Sequence, residues 1–179
     1  INSFFDKKVV KKNLDKNERP KLITLNYIFA NIDNILSFCK NLKSLLADDG
    51  IIVIGTGYHP EQMKNKMFDY VYHEHFSYFS LQNIKFIFNK IGLEILSASI
   101  TSPKGGSIRI VIQHIGANRR KSKSVNKIIF SEKKQGIKKL KIYKSFFNTI
   151  EKHKKLVLQK LINFKKLGKK IVALGASHS

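Results

Sequence analysis

Two short apolar runs with a helix-like segment between them most constrain what this chain can fold into. Leu22–Phe29 and Ile51–Ile54 are mostly apolar, as expected for strands buried on both faces of a sheet. Between them, apolar residues recur every three or four positions from Ile32 to Leu46, and Gly50 follows. A strand, a helix and a strand joined by short connections predict a βαβ unit in a parallel sheet, and therefore an α/β fold.

The next segments predict that this sheet ends in an antiparallel hairpin. We expect a helix at Leu81–Lys90, because its apolar residues lie on one side and Gly92 follows its end. Strands are expected at Leu93–Ile100 and Ser107–Ile115, and the turn Pro103–Gly106 joins them.

The remaining third of the chain predicts helices that lead into a second domain. Ser124–Leu167 has a helical pattern, which Gly136 is expected to break or bend, and a short strand is predicted to begin at Lys170. The chain begins with Ile1 and stops soon after this strand, so we expect it to be a fragment of a longer protein. The predicted domains are the sheet domain at 1–116, a basic helical connector at 117–168, and the first strand of a truncated Rossmann-like α/β domain at 169–179.

The formal net charge of +22 raises the question of a polyanionic partner. Most of the excess lies between Ala117 and Lys170, where lysine predominates over arginine and the aromatic residues have core-like spacing. Nucleic-acid surfaces usually combine arginine with exposed aromatic rings, so we expect a solvated lysine-rich surface rather than nucleic-acid binding. A non-catalytic polyanion-binding protein stays open as an alternative, as does attraction of an anionic small-molecule substrate.

Cysteine content and hydropathy indicate the compartment. Cys39 is the only cysteine, which excludes an intramolecular disulfide framework and a cysteine-rich zinc site within these residues. Apolar runs in the chain are far shorter than the roughly 20 residues that span a bilayer. We therefore expect a cytoplasmic protein without a membrane-spanning segment.

The densest group of proton-handling side chains is Tyr72–Phe79, which reads Tyr-His-Glu-His-Phe-Ser-Tyr-Phe. Histidine titrates near neutral pH, a neighbouring glutamate can orient or polarise it, and tyrosine can donate a hydrogen bond to a developing oxyanion. These residue types predict an acid/base site embedded in aromatic rings. Zinc binding by His73 and His75 is the alternative, but the sequence offers no further ligand except the remote His59, so we predict no metal.

Four segments in the right order resemble the nucleotide-sugar C-methyltransferases. The matching segments are Ile23–Ile32, Phe68–Phe79, Gly105–Arg109 and Leu174–Ala176. Members of that family have a cysteine-rich zinc-binding segment, then a Rossmann-like sheet of the class I SAM-methyltransferase type, then a second Rossmann-like domain. The resemblance implies that this chain holds the second half of the SAM-binding sheet, and that zinc belongs to a segment that precedes it. It therefore implies an enzyme whose fragment, as present in this chain, does not methylate a substrate by itself.

The resemblance also implies the reaction and the residues that perform it. The substrate would be a nucleotide-linked 4-keto-6-deoxy sugar, methylated by S-adenosyl-L-methionine (SAM) on the carbon beside its ketone. His75 would be the base that removes the proton, Glu74 its electrostatic or orienting partner, and Tyr72 a donor to the sugar or its oxyanion. The other expected contacts are Asn31, His73, Tyr78 and Arg109 for the substrate, and Asn26 and Phe29, at the end of a parallel strand, for the cofactor.

At two positions the chain departs from the family pattern. Asn31 stands where the family commonly has histidine, and Gly55 stands where it often has an acidic residue. Asparagine can hydrogen-bond a substrate hydroxyl but cannot carry a proton at pH 7. Methylation of an oxygen or a nitrogen of a surface-polysaccharide sugar therefore stays open as a second reaction.

Overall fold

The computed structural model describes residues 5–15 and 19–175, and the strands of this part form one mixed sheet. They are β1 (Leu22–Asn26), β2 (Ile51–Gly57), β3 (Leu93–Thr101) and β4 (Ser107–His114). Their order across the sheet is β1-β2-β4-β3, with β1 and β2 parallel and β4 antiparallel to both of its neighbours. The predicted α/β fold, a parallel βαβ unit that closes in an antiparallel hairpin, is confirmed.

Helices connect these strands and then follow them. They are α1 (Lys7–Asp15), α2 (Ile35–Leu45), α3 (His59–Lys64), α4 (Leu81–Lys90), α5 (Ser124–Gln135) and α6 (Leu140–Lys166). Short 3₁₀ turns lie at Phe29–Asn31 and Pro103–Gly105. None of the helices in the described part is long and apolar enough to cross a membrane.

Side-chain caps explain where two of the core helices begin. Asn34 accepts a hydrogen bond from the backbone N–H of Ser37 (3.0 Å) at the start of α2. Ser80 accepts one from the N–H of Asn83 (3.3 Å) at the start of α4. The sequence analysis missed α3, whose first turn contains Pro60, where a missing N–H leaves no helical hydrogen bond unmade.

The hydrophobic core lies on one face of the sheet, together with buried side chains of α2 and α4. Ile52 and Ile54 of β2 are fully buried, whereas Val53 between them is half-buried. On the same side as Val53, Thr24 of β1 and Arg109 of β4 are exposed. The prediction that β1 and β2 are buried on both faces is therefore wrong for the described residues, because their core helices cover one face.

Of the two C-terminal helices, α5 packs on the core and α6 does not contribute a buried residue to it. Val125 of α5 belongs to the core cluster, and α5 packs on β3 and α4, although the sequence analysis assigned it to the connector. By contrast, no residue of α6 is buried. Gly136 ends α5 in a left-handed conformation (φ 71°), which confirms the predicted break.

The strand predicted to begin at Lys170 does not form. Residues 169–175 run in irregular, exposed backbone, and no strand of the described part lies beside them to supply ladder hydrogen bonds. The predicted division into domains, including the second domain from residue 169, stays a prediction.

Candidate active site

The candidate site lies at the edge of the sheet where β1 and β2 end. Because Gly57 and Thr101 both pair with Ser107, β3 also ends at this edge and β4 begins there. Three connections therefore meet: residues 27–34 after β1, residues 58–80 after β2, and the turn at 102–106. The carboxyl edge of parallel strands is where open α/β sheets bind their ligands.

We call residues 58–80, which follow β2, the catalytic loop because they carry the Tyr-His-Glu-His motif. It is fastened to the connection after β1, since the N–H groups of Phe76 and Ser77 both donate to the carbonyl of Ala30 (2.9 and 3.2 Å). Near its start, the N–H of His59 donates to the carbonyl of Phe79 (3.1 Å), which closes the loop on itself. The motif is thus held in place although its backbone is irregular.

His75 has the geometry of a neutral base. Its Nδ1 lies 3.2 Å from the carbonyl oxygen of Tyr70. A carbonyl only accepts hydrogen bonds, so Nδ1 carries the proton and the lone pair of the neutral ring is on Nε2. The ring is packed among tyrosines, with centroid distances of 4.2 Å to Tyr72, 5.0 Å to Tyr70 and 5.7 Å to Tyr78.

The surroundings of His75 favour the neutral form of its ring. Burial is the largest effect and lowers its pKa below the usual value for histidine. The hydrogen bond with Tyr70 and the charge of Glu74 raise this pKa, whereas the charge of Lys104 lowers it, and the net shift is downward. Glu74 itself is exposed. Its predicted role as an electrostatic partner of His75 agrees with this effect and stays a prediction.

The tyrosines around His75 are hydrogen-bond donors. Tyr72 and Tyr78 are half-buried, and the Tyr78 hydroxyl lies 3.5 Å from the carbonyl of Tyr72, to which it donates. Tyr70, which sequence reasoning did not single out, has its pKa raised to about 12, first by burial and then by Tyr72 and Tyr27. It therefore keeps its proton at neutral pH and can donate to an oxyanion.

Gly57 lies close to Tyr70. This glycine is the feature of the sequence that could have pointed to a packed side chain at the end of β2. A Cβ at Gly57 would lie 3.1 Å from the Tyr70 ring and 2.8 Å from Nε2 of Gln62. A Cβ at position 57 would therefore press against the Gln62 side chain and crowd the Tyr70 ring, so glycine lets the end of β2 lie close to both.

His73 lies apart from the His75 cluster. It is exposed and touches only the edge of Tyr72 among the aromatic rings of the described residues, at 6.3 Å between centroids. In residues 5–15 and 19–175, no three His, Cys, Asp or Glu side chains are arranged to hold a metal ion.

The two residues predicted to contact the cofactor, Asn26 and Phe29, differ in exposure. Asn26 is exposed at the last position of β1, opposite Gly55, as predicted for a ligand contact. Phe29 is 0% exposed and packs against Phe79 (4.8 Å between centroids) and Phe88 (6.1 Å). Because Tyr27 takes a left-handed conformation (φ 56°), the chain leaves the strand and turns Phe29 into the core. The structure thus corrects the expected cofactor contact of Phe29.

Asn31 and Arg109 occupy different parts of the edge. The side-chain carbonyl of Asn31 is buried without a hydrogen-bond partner among the described residues, and the preceding Ala30 receives the catalytic loop. Arg109 is exposed on β4 and pairs with Gly55, in one row with Asn26. The acceptor without a donor at Asn31 fits a hydroxyl-bearing substrate, and the exposed amide of Asn26 fits a polar cofactor at this edge.

The turn between β3 and β4 contributes a cation that sequence reasoning missed. Lys104 has a left-handed backbone (φ 55°), and its Nζ lies 4.3 Å above the ring of Tyr27. Asn65 holds the turn by donating to the carbonyl of Gly105 (2.8 Å). The signal in the sequence was Gly105-Gly106, since both residues have positive φ and let the turn place Lys104 at the site.

Comparison with known families identifies the class of protein that has this fold and site. The family described as a methyltransferase domain matches residues 2–98, and the family described as a C-methyltransferase C-terminal domain matches residues 102–179. The chain therefore belongs to the family of proteins with a methyltransferase domain, and its residues 102–179 are similar to the C-terminal domain of C-methyltransferases. The predicted enzyme class, a methyltransferase with SAM as its cofactor, is confirmed, whereas transfer to carbon and the nucleotide-sugar branch of the family stay predictions.

One curated protein and two solved structures are similar to parts of this chain. C-methyltransferase NovU of Streptomyces niveus is 29% identical over 156 residues, which are 87% of this chain and 37% of that protein. The chain thus spans little more than a third of its curated relative. Among solved structures, a SAM-dependent methyltransferase from Anabaena variabilis has a TM-score of 0.45 at 14% identity, covering 62% of this chain and 55% of its own. LepI in complex with SAM also has a TM-score of 0.45, at 15% identity, covering 54% and 27%.

Proposed function

We propose that the protein transfers a methyl group from SAM to the carbon beside the ketone of a nucleotide-linked 4-keto-6-deoxy sugar. The observation that carries this proposal is the state of His75: a histidine with a lowered pKa whose Nδ1 proton is held by the Tyr70 carbonyl. The similar protein NovU is a C-methyltransferase, which supports transfer to carbon.

Methyl transfer to carbon first needs a carbanion, and His75 is placed to make it. Nε2 takes the proton from the carbon beside the ketone, and the electron pair of that C–H bond moves into the ketone as an enolate. A base with a lowered pKa is already neutral at pH 7, so it needs no prior loss of a proton. SAM, when bound, supplies an electrophilic methyl group, and positioning accounts for much of the rate.

The enolate oxygen needs donors or cations around it, and the site supplies both kinds. Tyr70 and Tyr72 flank His75 and can donate their hydroxyl protons. Lys104 adds a positive charge close enough to His75 to lower its pKa. A cation beside a neutral base favours the anionic product of proton abstraction over the neutral ketone.

The remaining predicted contacts belong to substrate recognition. Asn31, His73, Tyr78 and Arg109 are the side chains we assign to the nucleotide-linked sugar, and Asn26 is the one we assign to SAM. We place the reaction in the cytoplasm, since Cys39, the only cysteine of the sequence, is a free and buried thiol, as is common in a reducing compartment.

Product analysis tests the proposed function. The complete protein is incubated with SAM and a panel of nucleotide-linked 4-keto-6-deoxy sugars, and each product is examined by mass spectrometry and NMR. We expect a gain of one methyl group on one sugar, attached to the carbon beside the ketone. A methyl group on oxygen or nitrogen would overturn the carbanion mechanism and favour the second reaction. Binding of polyanions without methyl transfer would favour the non-catalytic alternative.

A further inference from the structure

Glu132 of α5 is a buried carboxylate that the proposed reaction does not use. Its side chain is 0% exposed and forms no salt bridge in the described part of the chain. It accepts hydrogen bonds from the Tyr58 hydroxyl (2.8 Å), from the N–H groups of Leu81 (2.5 Å) and Gln82 (3.1 Å), and from the Gln82 amide (3.0 Å). Burial of a carboxylate without a cation is costly unless such a set of donors surrounds it.

These donors lie at the two ends of the catalytic loop. Tyr58 is the first residue after β2, and Leu81 is the first residue of α4. One carboxylate on α5 therefore fastens both ends of the loop that carries His75. A connection of this length would otherwise be free to adopt many conformations.

Helix capping alone does not account for this arrangement. Ser80 already caps α4 through the N–H of Asn83. Tyr58 has no part in the cap, yet its pKa is raised by burial and then by the Glu132 charge, as expected for a phenol that keeps its proton to donate to the carboxylate. Glu132 thus joins the cap of α4 to the start of the catalytic loop, which a local capping residue cannot do.

Aromatic contacts link the helices to the loop a second time. The ring of His59 stacks on Tyr143 of α6 (5.8 Å, 17°) and lies 5.8 Å from Tyr78, which in turn contacts His75. Tyr143 is tied to the connection between α5 and α6, because its hydroxyl donates to the Ile137 carbonyl (2.8 Å). The helical segment therefore meets the catalytic loop at both a polar and an aromatic contact.

We propose that Glu132 is a positioning residue for the base His75, and that α5 is thereby part of the catalytic apparatus. This inference rests on the proposed function for its effect on the reaction. The inference goes beyond the proposed function because it assigns a role to a residue that lies outside the sheet and outside the Tyr-His-Glu-His motif.

The test compares Glu132→Gln, Tyr58→Phe and the control Glu151→Gln in the complete protein. Glu151 pairs with Lys154 on α6 (3.9 Å), and within the described residues it makes no side-chain hydrogen bond or ion pair with the catalytic loop. The first readout is the rate at which the proton beside the ketone exchanges with deuterium. We expect Glu132→Gln to lower this rate about tenfold to 100-fold while the affinity for SAM, measured by calorimetry, stays unchanged, because misplacement of a reacting group by about 1 Å has effects of this size. Glu151→Gln keeps the unmodified rate.

Two further readouts keep the proposal falsifiable if Glu132→Gln fails to fold or if the protein does not exchange substrate protons. Tyr58→Phe removes one of the four hydrogen bonds and keeps the ring, so we expect it to fold and to lower the rate about threefold or more. NMR of the His75 ring reports its environment without substrate, and we expect its pKa to move in both variants. Unchanged rates and an unchanged His75 pKa in folded variants would overturn the proposal. Absence of exchange in the unmodified protein would count against the proposed function alone.

Discussion

At the residue scale, the site depends on charges that act on His75 in opposite directions. Glu74 raises its pKa and Lys104 lowers it, while burial sets the net downward shift. The exchange rate should therefore rise with pH as the ring loses its proton, with a midpoint below the usual histidine value of about 6.5.

Removal of each charge predicts a shift of known sign in this pH profile. Lys104→Gln should move the midpoint of the exchange rate upward, and Glu74→Gln should move it downward. Lys141→Gln, on exposed α6, is the matched control and should leave it in place. Rates measured from pH 5 to 8 decide the matter, and shifts in the same direction for both variants would contradict the described electrostatics.

Substitution of Phe29 tests whether this side chain stabilises the core or contacts the cofactor. Phe29→Ala should lower the free energy of unfolding by about 3–5 kcal/mol, because it leaves a cavity between Phe79 and Phe88. Urea unfolding measures this loss. SAM affinity of the folded fraction should change less than in Asn26→Ala, whose side chain is exposed at the ligand edge. The reverse order of affinities would restore the cofactor contact first expected for Phe29.

At the element scale, the turn between β3 and β4 is fixed by close contacts that need glycine. A Cβ at Gly106 would lie 2.8 Å from the Glu61 side chain on α3, and the residue has a φ of 132°. Gly116 also has a positive φ (90°), but a Cβ there would meet nothing within 4 Å.

Comparison of Gly106→Ala with Gly116→Ala distinguishes the cost of backbone strain from the cost of lost packing. Both substitutions carry a strain cost of about 1–3 kcal/mol. Gly106→Ala should destabilise the protein more than Gly116→Ala, because it also pushes the turn away from α3. It should in addition lower the exchange rate, since Lys104 moves with the turn. Urea unfolding with the exchange assay checks both effects, and equal losses in the two variants would show that the α3 contact contributes nothing.

At the scale of the whole molecule, the sequence was a good guide to periodic elements. The apolar run of β2, the three-and-four spacing of α2 and the alternation in β4 follow from burial of one face, so their order and the hairpin could be predicted. The ends of these elements could not. Tyr27 ends β1 through a left-handed backbone that only tertiary contacts select.

The site was predictable where chemistry is concentrated in one segment. The Tyr-His-Glu-His motif reads directly from the sequence, and the structure groups Tyr72 and Tyr78 around His75. Lys104 and Glu132 were missed. Lys104 lies on the hairpin turn, and Glu132 contacts the two ends of the catalytic loop from α5. Contacts between residues so far apart in the chain leave no local pattern.

Hydrogen exchange into the substrate is the most direct test of the central claim that His75 is a base. The complete protein is incubated with the nucleotide-linked 4-keto-6-deoxy sugar in deuterated water without SAM, and NMR follows the position beside the ketone. We predict that deuterium enters this position and that His75→Ala slows its entry about 100-fold or more, while the control His153→Ala, on exposed α6, leaves the rate unchanged. Equal rates for the unmodified protein and folded His75→Ala would contradict the account.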